Sequence, residues 1–460
     1  MENFWDSSVW GIVNLVTILL LSLLVANLLK KTVKILQRSL IPTSVLGGLL
    51  LLVIAGVYRT ITGRLMFDEP FFGGKGMATM EIITYHMLAL GFIASTLRSS
   101  EARLTKKRTE EIFNTGVTTV ATYLLQAVMG LGITMIAALI MKDFFAAAGV
   151  LLPFGYGQGT GQAMNYGAIY ENDFGFVGGK SFGLTIAALG FLSASVGGVI
   201  HLNILKRQKK IESHQLGEKK LYEHQIQMED EIPMNGSMDK LTVQIAIICG
   251  SYLIAYVLMY VLGRILPGMR SVIYGFNFLL GVMGASLVKL TLRILKNAGI
   301  VKKRYINDFL MNRVSNACFD LMVVSCIAAI RLDVLADYWV IILVLGVAGL
   351  VITYFYNLLV AKTLFKEYSE EQFLAMYGML TGTASTGVIL LREVDEDFKT
   401  PVADNLVYQN FPAIVFGFPL MLLATLAPKQ PALTLVVLIA FFAVMNVILF
   451  RSLIFKKKNS

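Results

Sequence analysis

Gly155-Tyr156-Gly157-Gln158-Gly159-Thr160-Gly161-Gln162 and Gly378-Met379-Leu380-Thr381-Gly382-Thr383-Ala384-Ser385-Thr386-Gly387 are the two stretches whose reading decides the fold. Each lies in a segment too apolar for a surface loop and too rich in glycine for an unbroken membrane-spanning helix. Broken helices at corresponding places in two halves of a membrane protein mark where a polar solute is held during its passage. The two runs therefore predict a chain that moves a small polar solute across a membrane.

The composition agrees with a membrane setting. Of 460 residues, 56% are hydrophobic and 15% charged, and mean hydropathy is +0.68; a soluble domain needs more charge at its surface. Apolar runs long enough to cross the roughly 30 Å hydrocarbon layer recur along the chain. Period-2 alternation is absent, which selects helices over barrel strands. We read eleven spans, at about 9–29, 40–58, 78–97, 112–141, 178–205, 241–263, 271–292, 308–330, 338–361, 402–427 and 431–455. With the N-terminus outside and the C-terminus cytoplasmic, inner segments hold 29 of the 40 Lys and Arg residues and outer segments nine. That bias is the positive-inside rule, and it accounts for the net charge of +10 without nucleic acid. Lys30, Lys31 and Lys34 follow the first apolar run and acidic residues precede it, so it reads as a retained anchor in a cell membrane. Cys249, Cys318 and Cys326 all fall in spans and read as small packing residues.

Segments 144–170 and 371–391 enter and leave on one side by the charge count, and both are expected to be re-entrant hairpins. Such backbone survives at membrane depth when buried in protein or lining a wet cavity. A polar linker at 206–240, read as a solvated inner loop, divides the chain into similar halves. Ile41-Pro42 corresponds to Leu266-Pro267, Phe92-Ile93-Ala94 to Cys326-Ile327-Ala328, and Gly159-Thr160 to Gly382-Thr383, at offsets of 223 to 234 residues. Five spans is an odd number, so the second half lies upside down relative to the first. The expected fold is an all-α integral membrane protein of two inverted-topology five-helix repeats, residues 1–205 and 241–427. Each carries a re-entrant hairpin, and residues 428–460 add one C-terminal transmembrane helix and a basic tail.

In the hairpins, Gly159, Gly161 and Gly382 permit the reversal and a close backbone approach to a ligand. Thr160, Gln162, Thr381, Thr383, Ser385 and Thr386 supply neutral donors and acceptors, with Ala384 between them. Helices restarting after the turns aim unpaired N–H groups and a positive dipole end inward, which suits a carboxylate. Freed carbonyls there suit a desolvated Na⁺. In the eighth span Asn312, Ser315, Asn316 and Asp320 share one helical face. An ionisable residue such as Asp320 inside a span is a functional candidate by default, so Ser315, Asn316, Asp320 and Thr381 form the candidate Na⁺ set. Arg313, nearby, is a substrate candidate that is also placed to snorkel to water. The repeat offset pairs Asp320 with His86, and Asn357, Asn405 and Gln409 are further candidates for the cavity lining.

The Pro42 to Gly47-Gly48 opening, the Gly157-Gln158-Gly159-Thr160-Gly161 hairpin and the Gly382 to Thr386 tip together resemble the bacterial glutamate:Na⁺ symporters, through about residue 427. The resemblance implies a Na⁺-coupled carrier of glutamate or a similar small carboxylate-bearing amino acid. It also implies a homodimer in which a substrate-carrying core moves against a scaffold by alternating access. It implies no cofactor beyond Na⁺ as coupling ion. The chain departs from that pattern at Tyr156-Gly157-Gln158, in a shorter second glycine series, and in the linker and eleventh span.

Two rival carriers share the architecture: a di- or tricarboxylate:Na⁺ symporter, and a cation/proton antiporter working through Asp320. A channel fits paired inverted hairpins poorly. An intramembrane enzyme would need a nucleophile–base pair or a metal cluster. Of the four histidines, His201, His214 and His224 fall at or beyond the inner membrane edge, and no enzyme is expected.

Overall fold

The computed structural model of the chain describes residues 3–98, 105–208, 231–234, 237–395 and 399–454. Among these the architecture is all helical. The long elements are α1 (Ser7–Thr32), α2 (Thr43–Thr62), α3 (Gly76–Leu97), α4 (Lys106–Ile140), α5 (Leu151–Tyr156), α6 (Thr160–Phe174), α7 (Gly179–Arg207) and α8 (Lys240–Ile265). They continue with α9 (Asn277–Asn297), α10 (Asp308–Ala328), α11 (Trp339–Leu364), α12 (Ser369–Thr381), α13 (Ala384–Arg392), α14 (Val402–Tyr408), α15 (Asn410–Leu426) and α16 (Pro431–Leu449).

Nine described helices are long and apolar enough to cross a membrane, and the protein is a multi-pass membrane protein. The other two expected spans are helical but differ for identifiable reasons. Asp308, Asn312, Arg313, Asn316 and Asp320 interrupt the apolar surface of α10. The tenth span is bent by 49° between Val402–Tyr408 and Pro412–Leu426, where Pro412 brings no N–H to the helix ladder. Span seven begins at Asn277, because Arg270–Gly275 forms a short helix of its own.

By packing, the chain forms two compact units, each drawn from both halves of the sequence. This division cuts across the one by repeat. The first unit comprises residues 1–20, 67–103 and 215–325. Within it α3, α8 and α9 pack together around Ile93, Ala94, Leu97, Ile248, Ala285 and Met311. Here the expected solvated linker ends differently. Glu231 and Lys240 are buried and ion-paired at 2.8 Å, and Asn307 Nδ2 donates to the same carboxylate oxygen at 2.7 Å. A buried charge is tolerated because it is paired and hydrogen-bonded. Linker residues 209–230 and 235–236 and residues 455–460 of the basic tail lie outside the described residues.

The second unit comprises residues 21–66, 104–214 and 326–460. Its centre is the 35-residue α4, against which α5, α11, α15 and α16 pack. The expected eleventh span, α16, is fastened to α4 just past its end: Arg451 donates to Asn114 at 2.8 Å and pairs with Glu110 at 3.2 Å. Both glycine-bearing segments belong to this unit. In each the chain reverses, α6 packing back on α5 and α13 on α12. Phe154 and Tyr166 stack across the first pair with centroids 3.9 Å apart. Gly378 and Gly387 let the arms of the second meet backbone to backbone.

Candidate functional site

Gly157, Gln158 and Gly159 separate α5 from α6. Gly159 caps α6 with φ 85° and ψ −178°, a conformation that costs a residue with a side chain roughly 1–3 kcal/mol. Tyrosines fasten this turn on every side. Tyr123 of α4 donates to Gly157 O at 3.1 Å. Tyr156 donates to Gly346 O of α11 at 2.6 Å and shares a hydrogen bond with Ser193 of α7 at 2.9 Å. Tyr166 and Tyr170 donate to Met421 O and Ala424 O of α15. Each ring fills apolar space while its hydroxyl finds a backbone or side-chain acceptor.

Gly382 and Thr383 separate α12 from α13. Tyr377 of α12 donates to Ser193 O at 2.8 Å, so both hairpins are tied to the same turn of α7. That helix also passes close to the second tip, since a Cβ on Gly190 would sit 2.4 Å from Thr381 O. The two tips meet. A Cβ built on Gly159 would lie 3.5 Å from Thr383 Cγ2 and 3.6 Å from Gly382 O.

The meeting point has a defined electrostatic sense. Both α6 and α13 begin there, and neither Gly159 nor Thr383 caps its helix with a side-chain hydrogen bond. Their first N–H groups and positive dipole ends therefore face the tips, while α5 and α12 bring carbonyl ends to the same place. Gln162, 2% exposed, has no hydrogen-bond partner for either amide atom, and Thr160 Oγ1 has none of normal geometry. The Cys326 thiol within reach of Thr160 is a weak partner. Leaving a buried polar group unmet costs about 1–3 kcal/mol. Three such atoms lie in the first turn of one helix. Of the second tip, Thr386 and Gly382 are buried, Thr383 is half-buried, and Ala384 and Ser385 are exposed. Thr383 and Thr386 hydroxyls lie 3.4 Å apart.

Behind the tips runs a ladder of buried polar contacts that sequence reasoning passed over. Along one face of α4, Thr115 meets Gln372 at 3.3 Å, Thr119 meets Gln409 at 2.9 Å and Thr122 meets Asn357 at 3.4 Å. Gln126 then donates to Thr353 and to Leu380 O, both at 2.9 Å. Thr115, Thr118, Thr119, Thr122 and Gln126 recur at helical spacing, which was the available signal. Of the expected cavity residues, Asn357 and Gln409 are on this ladder, and Asn405 is buried beside Tyr368. Thr381 donates within its own helix to Tyr377 O at 2.6 Å.

The remaining candidates belong to the first compact unit. Ser315 is buried and donates to Gly91 O of α3 at 2.9 Å, a helix–helix tie. Asn312 accepts from Arg98 at 3.1 Å. Asn316 and Asp320 are exposed on the same helix. Arg313 lies over the Phe309 ring at 5.0 Å. His86 and the Tyr252 hydroxyl share a hydrogen bond of 2.8 Å. The structure thus gathers the expected substrate residues Gly159 to Gln162 and Gly382 to Thr386. The expected Na⁺ set is divided, Thr381 lying in one unit and Ser315, Asn316 and Asp320 in the other.

A search of curated proteins returns no match to the chain. A family model described as sodium/glutamate symporter matches residues 10–400, taking in both hairpins, the polar face of α4 and all of α10. The chain is a membrane transport protein, and it belongs to the sodium/glutamate symporter family.

Proposed function

We propose that this protein is a Na⁺-coupled symporter that imports glutamate or a similar small carboxylate-bearing amino acid across the cell membrane by alternating access. The observation that carries the reading is the meeting of the two chain reversals at Gly159 and Gly382-Thr383, beside the unmet Gln162 amide. Two uncapped helix N-termini at one point suit the substrate carboxylate. The Gln162 amide and Thr160 hydroxyl supply a donor and acceptors for a second polar group of the same solute. The unit that holds both hairpins is the substrate-carrying core. Both hairpins are re-entrant, and residues 1–205 and 241–427 are inverted repeats with the N-terminus outside and the C-terminus cytoplasmic. In support, each half contains one broken pair, α5–α6 or α12–α13, followed by a span. The assembly implied by the family resemblance is a homodimer.

The test is uptake into proteoliposomes of labelled glutamate, aspartate, citrate and neutral amino acids, with and without an inward Na⁺ gradient. Saturable, gradient-driven glutamate or aspartate uptake is the expected result. Citrate uptake in its place would move the protein to the di- or tricarboxylate carriers, and non-saturating flux to the channels. Thr383→Val and Asp320→Asn are each expected to cut coupled uptake while the protein still inserts. Wild-type uptake in either variant removes that residue from the transport path.

A further inference from the structure

We propose that a coupling Na⁺ is bound between α4, α11 and the end of α12 by Gln126, Asn357, Thr353 and Thr122. The inference rests on the symport reading and gives its cation a place that reading leaves open. All four side chains are buried, none more than 1% exposed. Gln126 Nε2 donates to Thr353 Oγ1 and Leu380 O, and Asn357 Nδ2 donates to Thr353 O at 2.9 Å and Thr122 Oγ1 at 3.4 Å. Both amide nitrogens are thus used. The amide oxygens, Gln126 Oε1 and Asn357 Oδ1, have no partner.

The orientation of these amides is dictated by chemistry. Leu380 O and Thr353 O are backbone carbonyls, which can only accept, so each must face an amide nitrogen. Of the amide atoms, what is left over is therefore two acceptors and no donor. An anion cannot answer that deficit. A cation can, as can a water donating its protons.

Three further features favour a monovalent cation. Leu380 is the last residue but one of the 13-residue α12, whose final carbonyls lack intrahelical partners and carry the negative end of the helix dipole. The donor set is hard neutral oxygen: two amides, two hydroxyls and a helix end. Without a carboxylate in the set, a divalent ion would stay uncompensated, whereas a single charge is spread over several dipoles. The place also matters. Leu380 leads through Thr381 to Gly382, whose carbonyl faces Gly159 across the tips. A cation drawing on Gln126 and the α12 end fixes the second tip where the carboxylate binds. By linkage, substrate then raises Na⁺ affinity by the factor that Na⁺ raises substrate affinity.

The experiment uses the full-length purified protein and NaCl titrated at constant ionic strength against choline chloride. Readouts are ²²Na⁺ binding and the Na⁺-dependent rise in thermal midpoint, both without substrate. Gln126→Met and Asn357→Leu are expected to weaken Na⁺ at least tenfold. Thr353→Val gives a smaller loss, and Thr353→Ser, which keeps the hydroxyl, restores wild-type binding. Should Gln126→Met or Asn357→Leu fail to fold, the Thr353 pair decides by the same criterion. Saturable wild-type binding left unchanged by the Gln126, Asn357 and Thr353 variants overturns this inference alone and assigns the two amide oxygens to water. Loss of Na⁺ affinity in Asp320→Asn alone overturns it in favour of α10. A wild-type protein with neither Na⁺ binding nor Na⁺-driven uptake overturns the symport reading with it.

Discussion

The two hairpins meet tip to tip yet are built differently. In the first, every residue of α5 and the first two turns of α6 are buried, the returning arm runs 15 residues, and the reversal depends on a left-handed glycine. In the second, the entering arm is buried from Gln372 to Thr381, but the returning arm is 9 residues long and starts with Ala384 and Ser385 exposed. Five tyrosine hydroxyls anchor the segment around the first tip to α4, α7, α11 and α15 or join α12 to α7. One of these, Tyr377, belongs to the second hairpin. A wall with many anchors faces an arm with few, and the symport reading proposed above then makes the first hairpin the one that holds the solute and the second the one that opens.

The largest expected effect is at the wall. Gly159→Ala adds a methyl that has room, 3.5 Å from its nearest neighbour, but forces alanine into a conformation costing roughly 1–3 kcal/mol. Na⁺-driven uptake should fall by about tenfold or more. Gly382→Ala, at φ −142°, meets a movable Phe191 ring and the Thr386 hydroxyl, each at 3.0 Å, and should cost less. If Gly382→Ala proves the more damaging in the uptake assay, the wall-and-arm contrast is wrong.

Gln162→Leu sharpens the contrast, because it should move two measurements in opposite directions. The amide buried without partners costs stability, about 1–3 kcal/mol per unmet group, so the leucine variant should melt several degrees higher without substrate. The same change should raise KM for glutamate by about tenfold, the size of one hydrogen bond to a charged group. A lower melting point with unchanged KM would make Gln162 a packing residue.

These contrasts were partly legible in the sequence. The spans were, because hydropathy over 20 residues leaves little choice. So were the reversals, since glycine at Gly157, Gly159 and Gly382 has few other uses inside an apolar segment. The ladder on α4 was not. A threonine in a membrane helix can satisfy itself through the carbonyl four residues back, as Thr115, Thr119 and Thr122 do. Such a residue looks inert until its neighbours are known. Gln126 had no such excuse, being a long amide in an apolar run, and was the residue to question. The tyrosine anchors were illegible for another reason: their acceptors, Gly346, Met421 and Ala424, are backbone atoms of helices far along the chain. Asp320 was legible as an anomaly, but it is exposed on α10 in the compact unit that does not hold the hairpins.

Accessibility provides a more modest test of that arm. In a Cys249→Ser background, which removes the exposed native thiol, Ser385→Cys should react with a polar maleimide at least several-fold faster than Thr160→Cys. Saturating glutamate with Na⁺ should slow the Ser385→Cys reaction. Equal rates at both positions would mean that the tips are equally open.

The smallest effect lies away from the tips and probes what fixes the unit that carries them. Asp333, in the short turn before α11, pairs with Arg59 at the end of α2 and with Arg331 at 3.2 Å. Partial burial pushes its carboxyl up, but the two guanidinium groups outweigh that and hold it below the usual carboxylate range. A carboxyl lowered on folding stabilises the protein above its unfolded value, near pH 3.8, and loses that contribution as pH falls through the lowered one. Pairs this exposed are worth up to about 1 kcal/mol. Asp333→Asn should therefore lower the melting temperature by a degree or two at pH 7, and the difference should close toward pH 3. A gap that persists in acid would show that the carboxylate's charge is not what ties α2 to that turn.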